Sequence, residues 1–336
     1  MSVPGVYVQS NEGEGNRVFA FRRVEDGQLS DPVIVPSGGR GDAVPHLTSQ
    51  GSVVLASDGR LLVTNAGSDD ISVLVVADET QVVAVASSGG TAPKSIAERD
   101  GLVYVLNTGE PSLVGFRLTE DELVEVPGSR RELGTGADPA QVGFMPDGAG
   151  LVVTDRGMDA ILVFPVEADG SLGKPHATAS AGPTPYGFTF ASRDTLVVTE
   201  AFGAAKGRAA VSSYRVDEGG AEVVTSSVGN GRSEICWAVA SADGRYVFAT
   251  NFADGAVSSY RVSASGELVL EDAVAAFGVE GEPGLRDEDL SGDGRFLYAI
   301  DADGGRIFGW RVEHGTLAPV GSWNGLPKTV AGLAAS

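Results

Sequence analysis

The densest group of ionisable side chains in the chain is Arg286-Asp287-Glu288-Asp289. Alternate residues of an extended strand face opposite ways, so Arg286 and Glu288 would point to one side and Asp287 and Asp289 to the other. An arginine in that position can grip a carboxylate or phosphate through paired N–H donors. The competing reading is an ion pair with its own acidic neighbours. The histidines, His46, His176 and His314, are far apart, and only His46 precedes a strand of the inner type described below. A recurring series of polar residues, Asn65, Asn107, Asp155, Glu200, Asn251 and Asp301, suits turn capping, in which a short side chain bonds backbone N–H groups two residues on. Asp155-Arg156 and Glu200 depart from that pattern by added charge or size and are candidate functional residues. G-x-S-x-G, H-E-x-x-H, GKS or GKT loops and C-x-x-C are all absent from the sequence, which removes the usual nucleophile-elbow, zinc and phosphate-loop chemistries.

The elements that must hold these residues come from a repeat. Ser241 to Val262, SADGRYVFATNFADGAVSSYRV, reads as two short strands with an Asp-Gly turn before the first and a second turn between them. Similar stretches start at Ser57, Glu98, Pro146, Ser192 and Gly292, with a partial copy at Val6. The first-turn markers Asp58, Asp100, Asp147, Asp194, Asp243 and Asp293 are 42, 47, 47, 49 and 50 residues apart. Repeats of that length with several strands each indicate propeller blades, and no long 3.6-residue apolar period argues for helices. Inner strands are expected at 52–56, 94–98, 141–145, 186–191, 237–241 and 287–291. The first blade lacks one; 328–334 at the C-terminus supplies it, giving an all-β, seven-bladed propeller closed by its own ends, a single domain over 1–336. Alternating strand direction places the starts of the inner strands, the turns after the polar series and the blade-to-blade connections on one face. That face, with the inserted segment 203–210 carrying Lys206 and Arg208, is the expected working face.

Composition narrows the function classes. The net charge of −21 disfavours nucleic acid and anionic membrane surfaces as partners. Cys236 is the single cysteine, so no intramolecular disulfide exists. The opening MSVPGVYVQS lacks a basic region followed by an apolar run, and no stretch has the roughly 18 apolar residues of a membrane span, so a cytoplasmic location is expected.

The repeat core, with DGRYVFATN, DGAVSSYRV, DGRFLYAID and the closing GLPKTVAGLAAS, resembles the seven-bladed propeller lactonases, which include the propeller type of 6-phosphogluconolactonase and the fungal carboxymuconate cyclase. The resemblance covers nearly the whole chain. It implies an inner-strand Arg seven residues before the turn of the last full blade, matched by Arg286. It also implies a His where Ala140 stands, and Pro-Arg-His where this chain has Pro185-Tyr186-Gly187. The implied activity is hydrolysis of a lactone or related carboxylated small molecule, or the reverse cyclisation. Arg286 would hold the carboxylate. His46 would be the base by type, whereas Glu200 or Glu234 would need a pKa raised by burial. Tyr186 and Trp237 would wall the pocket, with Asp155, Arg156 and Asp287 beside the substrate. No cofactor or metal is required, although Asp155, Glu200, Asp287 and Asp301 offer oxygen ligands for Ca²⁺. The alternative is a non-catalytic propeller that binds a small molecule or protein on the same face.

Overall fold

The computed structural model describes residues 4–45, 47, 49–77, 80–120 and 122–336. Seven antiparallel sheets follow one another along the chain. Their inner strands contact each other in cyclic order, from Val53–Leu55 round to Leu285–Leu290 and Ala331–Ala335. Blade one is shared: Ala331–Ala335 pairs antiparallel with Gly5–Gln9, setting Val6 opposite Ala335 and Gln9 opposite Ala331. The closing strand is shorter than the expected 328–334 and displaced toward the C-terminus. Gly332 marks a break in its register, at φ 72°, where a Cβ would collide with the Ser52 hydroxyl. Ser336 completes the closure: its N–H donates to the Gly5 carbonyl, its hydroxyl accepts the Gly5 N–H, and Arg23 donates to its carbonyl.

Second strands such as Leu102–Asn107 and Phe296–Asp301 are buried at every residue. Each lies inside a blade that is packed on both faces, so it reads as a continuous apolar run and not as an alternation. The core is accordingly a set of layers between blades. Val6, Phe19, Phe296 and Tyr298, for example, join blades one and seven. In the Asp-Gly turns, the Oδ1 of Asp147, Asp243 and Asp293 accepts the N–H two residues on. Those bonds, with the Arg and Ser partners of these turns, hold the three carboxyls below the usual range, Asp243 at about 2. Among the described residues no helix is long and apolar enough to cross a membrane.

Inner strands begin earlier than the sequence pattern suggests, at Pro93, Pro139, Pro185, Ile235 and Leu285. Each starts with a β-bulge, a break in register between Pro139 and Gln141, Pro185 and Phe188, Ile235 and Trp237, and Leu285 and Glu288 in blades four to seven. A bulge adds an unpaired residue and turns its side chain out of the regular alternation.

Candidate functional site

The bulged residues form the channel mouth. Seven positions before the turn aspartates of blades four to seven stand Ala140, Gly187, Cys236 and Arg286, each in its bulge. Only one of them is charged. The Arg286 guanidinium lies 4.5 Å from the centre of the Phe252 ring. Its Nη1 donates to the Pro45 carbonyl at 2.9 Å, and its Nη2 is 3.6 Å from Asp303. Nε is buried and has no hydrogen-bond partner among the described residues. The expected ion pair with neighbouring acids therefore forms with Asp303 of the next turn. Burial pulls the guanidinium pKa down and Asp303 opposes this.

Across the mouth, Arg156 stacks on the Tyr186 ring at 4.8 Å and pairs with Asp138 at 2.6 Å. Tyr186 packs against Trp237 with centroids 5.6 Å apart. Its hydroxyl is buried without a hydrogen-bond partner, and burial raises its pKa far above the ordinary value. Cys236, Arg156, Asp287 and Arg286 all lie within electrostatic reach of that phenol. Burial also pushes the Cys236 thiol up, so it stays protonated and unreactive. Asp287 is only 3% exposed and turns toward the closing strand, where it accepts from the Gly332 N–H. Desolvation raises its pKa to about 7, against smaller opposing effects from that bond and from Arg286.

The inner-strand acids alternate as expected. Asp289 accepts from Ala335 N–H on the closing-strand side, while Glu288 lies by Thr250 of blade six. Neither carboxyl oxygen of Glu288 has a well-formed hydrogen bond, and burial raises its pKa well above the usual range. Below the mouth, Gln50 reaches across the axis. Its Nε2 donates to the Ala238 carbonyl and its Oε1 accepts the Ala238 N–H. Its own N–H donates to the Ala140 carbonyl, and Trp237 Nε1 donates to the Ser49 carbonyl. The connection from blade one thus forms a floor. The floor borders a cavity of about 550 Å³ along the axis, lined by Gln50, Val54, Phe144, Phe188, Val239 and the acids 287–289.

Several expected site residues sit elsewhere. Glu200 is fully buried inside blade five, accepting Gly182 N–H and the hydroxyls of Ser212 and Ser227, so both oxygens are occupied away from the mouth. Asp155 caps its turn through the N–H groups of Asp138, Gly157 and Met158. Asp301 does likewise for Gly304 while pairing with Arg306. The four acids considered for Ca²⁺ are therefore dispersed, and no group of three metal-ligating side chains is found among the described residues. The asparagines do not cap turns. Asn65 and Asn251 bridge within their blades to Ser72 and Ser258, because a carboxamide also donates, whereas a carboxylate only accepts. Glu234 is at the mouth, in a left-handed conformation at φ 56° and close enough to Cys236 to influence it. His46 lies outside the described residues; its neighbour Pro45 is the one held by Arg286. The insert shares this face, since Gly203 and Gly207 donate to Thr184 and Ser233 just ahead of the inner strands of blades five and six. Phe252, Asp303 and Gln50 carried no sequence signal of a role here.

Ring and closure define a seven-bladed β-propeller. A family model described as "Lactonase, 7-bladed beta-propeller" matches residues 121–202 and 199–328, and the chain belongs to that family. Curated protein sequences gave no match. Among solved structures, a candidate 6-phosphogluconolactonase from Bacteroides fragilis superposes with a TM-score of 0.73 at 18% identity, covering 99% of this chain and 98% of the other. A protein from Lactobacillus plantarum gives 0.76 at 16% identity with full coverage of both chains (100% and 100%). The periplasmic gluconolactonase of Pseudomonas aeruginosa gives 0.54 at 20%, over 96% of this chain and 83% of the other. At these identities the likeness is one of fold.

Proposed function

We propose that the protein opens a lactone, or closes one in the reverse direction, with the substrate's carboxylate or other anionic group at the mouth formed by blades four to seven. One observation carries this reading: the Tyr186 hydroxyl and Arg286 Nε are both buried donors, at the same end of the channel, with no hydrogen-bond partner among the described residues. Buried polar groups without partners are uncommon and suggest a missing ligand. Arg286 and Arg156 supply positive charge in a strongly acidic protein. Tyr186, kept protonated by burial, can donate to the oxygen that becomes negative when water adds to the ester carbonyl. Asp287, with its pKa near 7, can take the proton of the attacking water and return it to the departing ring oxygen. Glu234 is the other base candidate placed on this face. Closing a hydroxy acid to its lactone, with loss of water, is the same sequence of steps run backwards.

The test is a panel of γ- and δ-lactones with and without anionic substituents, 6-phosphogluconolactone included, followed by acid release with and without EDTA. Turnover that falls strongly in Tyr186→Phe and is unaffected by EDTA is expected. If no lactone is turned over above the uncatalysed rate, the catalytic reading fails and the protein is a binding propeller.

A further inference from the structure

Blade five departs from the repeat on the mouth face. The turn between second and third strands has four residues in blades two, three, four, six and seven, and nine in blade five, 201–209. The longer turn is tied down beside the mouth. Phe202 N–H donates to the Pro183 carbonyl and Gly203 N–H to the Thr184 hydroxyl, just ahead of Tyr186. Gly207 N–H donates to the Ser233 hydroxyl, just ahead of Cys236. Ala209 N–H donates to the Arg232 carbonyl, and the Ala209 carbonyl accepts the Asn230 N–H. The insert and the connection 230–234 therefore run side by side, which sets Arg208 next to Arg232.

These cations are left without acids. Lys206 and Arg208 are exposed and Arg232 is half-buried, and none of the three pairs with a carboxylate among the described residues. Arg208 rests 5.2 Å from the centre of the Phe202 ring. Asp254, in the adjoining turn, accepts the Ser233 N–H instead. At the corresponding turns of blades four and seven, Arg156 pairs with Asp138, and Arg306 with Asp301 and Glu282. Arg232 Nε is also buried with no hydrogen-bond partner among the described residues, a condition it shares among those arginines only with Arg286. Two like charges side by side repel, and an anion between them removes the repulsion. A guanidinium with unused N–H donors grips such an anion by its paired oxygens.

We propose that Arg208 and Arg232, with Lys206 at the rim, form a second anion subsite beside the mouth, which receives an anionic group that the substrate carries away from its lactone ring. The inference rests on the lactone reading above: the reacting carbonyl lies by Tyr186 and Arg286, and the insert selects what is attached to the ring. A phosphate ester and a carboxylate share the required chemistry.

Two measurements on the full chain test this: calorimetry with inorganic phosphate and with glutarate, and kinetics on lactones that differ only in a phosphorylated, carboxylated or neutral side chain. Arg208→Ser with Arg232→Gln should weaken anion binding at least about tenfold. It should raise KM for the lactone with the anionic side chain by the same factor, while kcat and the kinetics of the neutral lactone stay as in wild type. Lys174→Ser, which removes an exposed cation elsewhere, should change neither. A larger loss with phosphate assigns a phosphate ester, and a larger loss with glutarate a carboxylate. If the double variant loses anion affinity but no lactone is turned over by wild type, the subsite stands and the lactone reading falls. Anion affinity that is absent from wild type, or indifferent to the double variant, overturns the subsite whatever the lactone panel shows.

Discussion

Asp287→Asn should make the protein more stable at pH 8, although it alters a buried residue of the candidate site. Burial lifts the Asp287 pKa from an ordinary 3.8 to about 7. In the unfolded chain this carboxyl loses its proton near pH 4; in the folded protein it keeps it until near pH 7. Between those values the folded state binds more protons, so stability falls as pH rises. At about 1.4 kcal/mol for each pH unit of difference, the loss amounts to about 4 kcal/mol by pH 8, an upper figure for one group. Asparagine keeps an oxygen for the Gly332 N–H and carries no charge. The variant should match wild type at pH 4.5 and exceed it at pH 8 by several degrees in melting temperature. Asp289 and Glu288, also raised by burial, act in the same direction, Asp289 against opposing backbone hydrogen bonds from Ala335 and Leu290. The depressed turn aspartates titrate below pH 4 and leave this window untouched. Paired thermal melts of both proteins at the two pH values decide the matter. A wild-type melting temperature that is flat from pH 4.5 to 8, or a variant less stable than wild type at pH 8, refutes the reasoning.

Other outcomes can be checked separately. Arg286→Lys keeps the charge but loses the planar fork, so it should weaken substrate binding nearly as much as Arg286→Ala; calorimetric affinities alongside melts would reveal a purely structural role as lowered stability with normal affinity. Deleting 326–336 removes Leu326, Val330 and Leu333 from the layer between blades seven and one and exposes Gly5–Gln9, so cooperative unfolding should be lost; an unchanged melt would contradict closure by this strand. Gln50→Ala leaves the Ala238 N–H and carbonyl without their partner, and should cost about 2–4 kcal/mol in denaturant titrations. If Asp287 is the base, the hydrolysis rate should rise with pH through about 7, and in Asp287→Asn both the rate and its pH dependence should collapse.

The ring was legible because its causes are local. Asp-Gly turns, apolar second strands and a marker repeating every 42 to 50 residues are all visible within short windows. Even the closure follows from counting, since one blade lacks an inner strand and the C-terminus has one to spare. The site was only half legible, for a reason of the same kind. Glu200 looked functional because it is larger than its counterparts, yet Ser212 and Ser227, which occupy it, lie on the third strand and outer strand of its blade. Gln50 had no signal at all, because its partner Ala238 is 188 residues away across the axis. Asp287 shows the general difficulty. Its alternation with Arg286 can be read from strand geometry, but the burial that sets its pKa depends on the closing strand folding back from the C-terminus. What the sequence does carry is a position. Counting seven back from the turn aspartates of blades four to seven lands on the bulge that opens each inner strand, and three of those four positions hold Ala, Gly and Cys. The fourth is Arg286. A residue that breaks a repeat where the backbone itself breaks register lies at the axis, where side chains from several blades can meet.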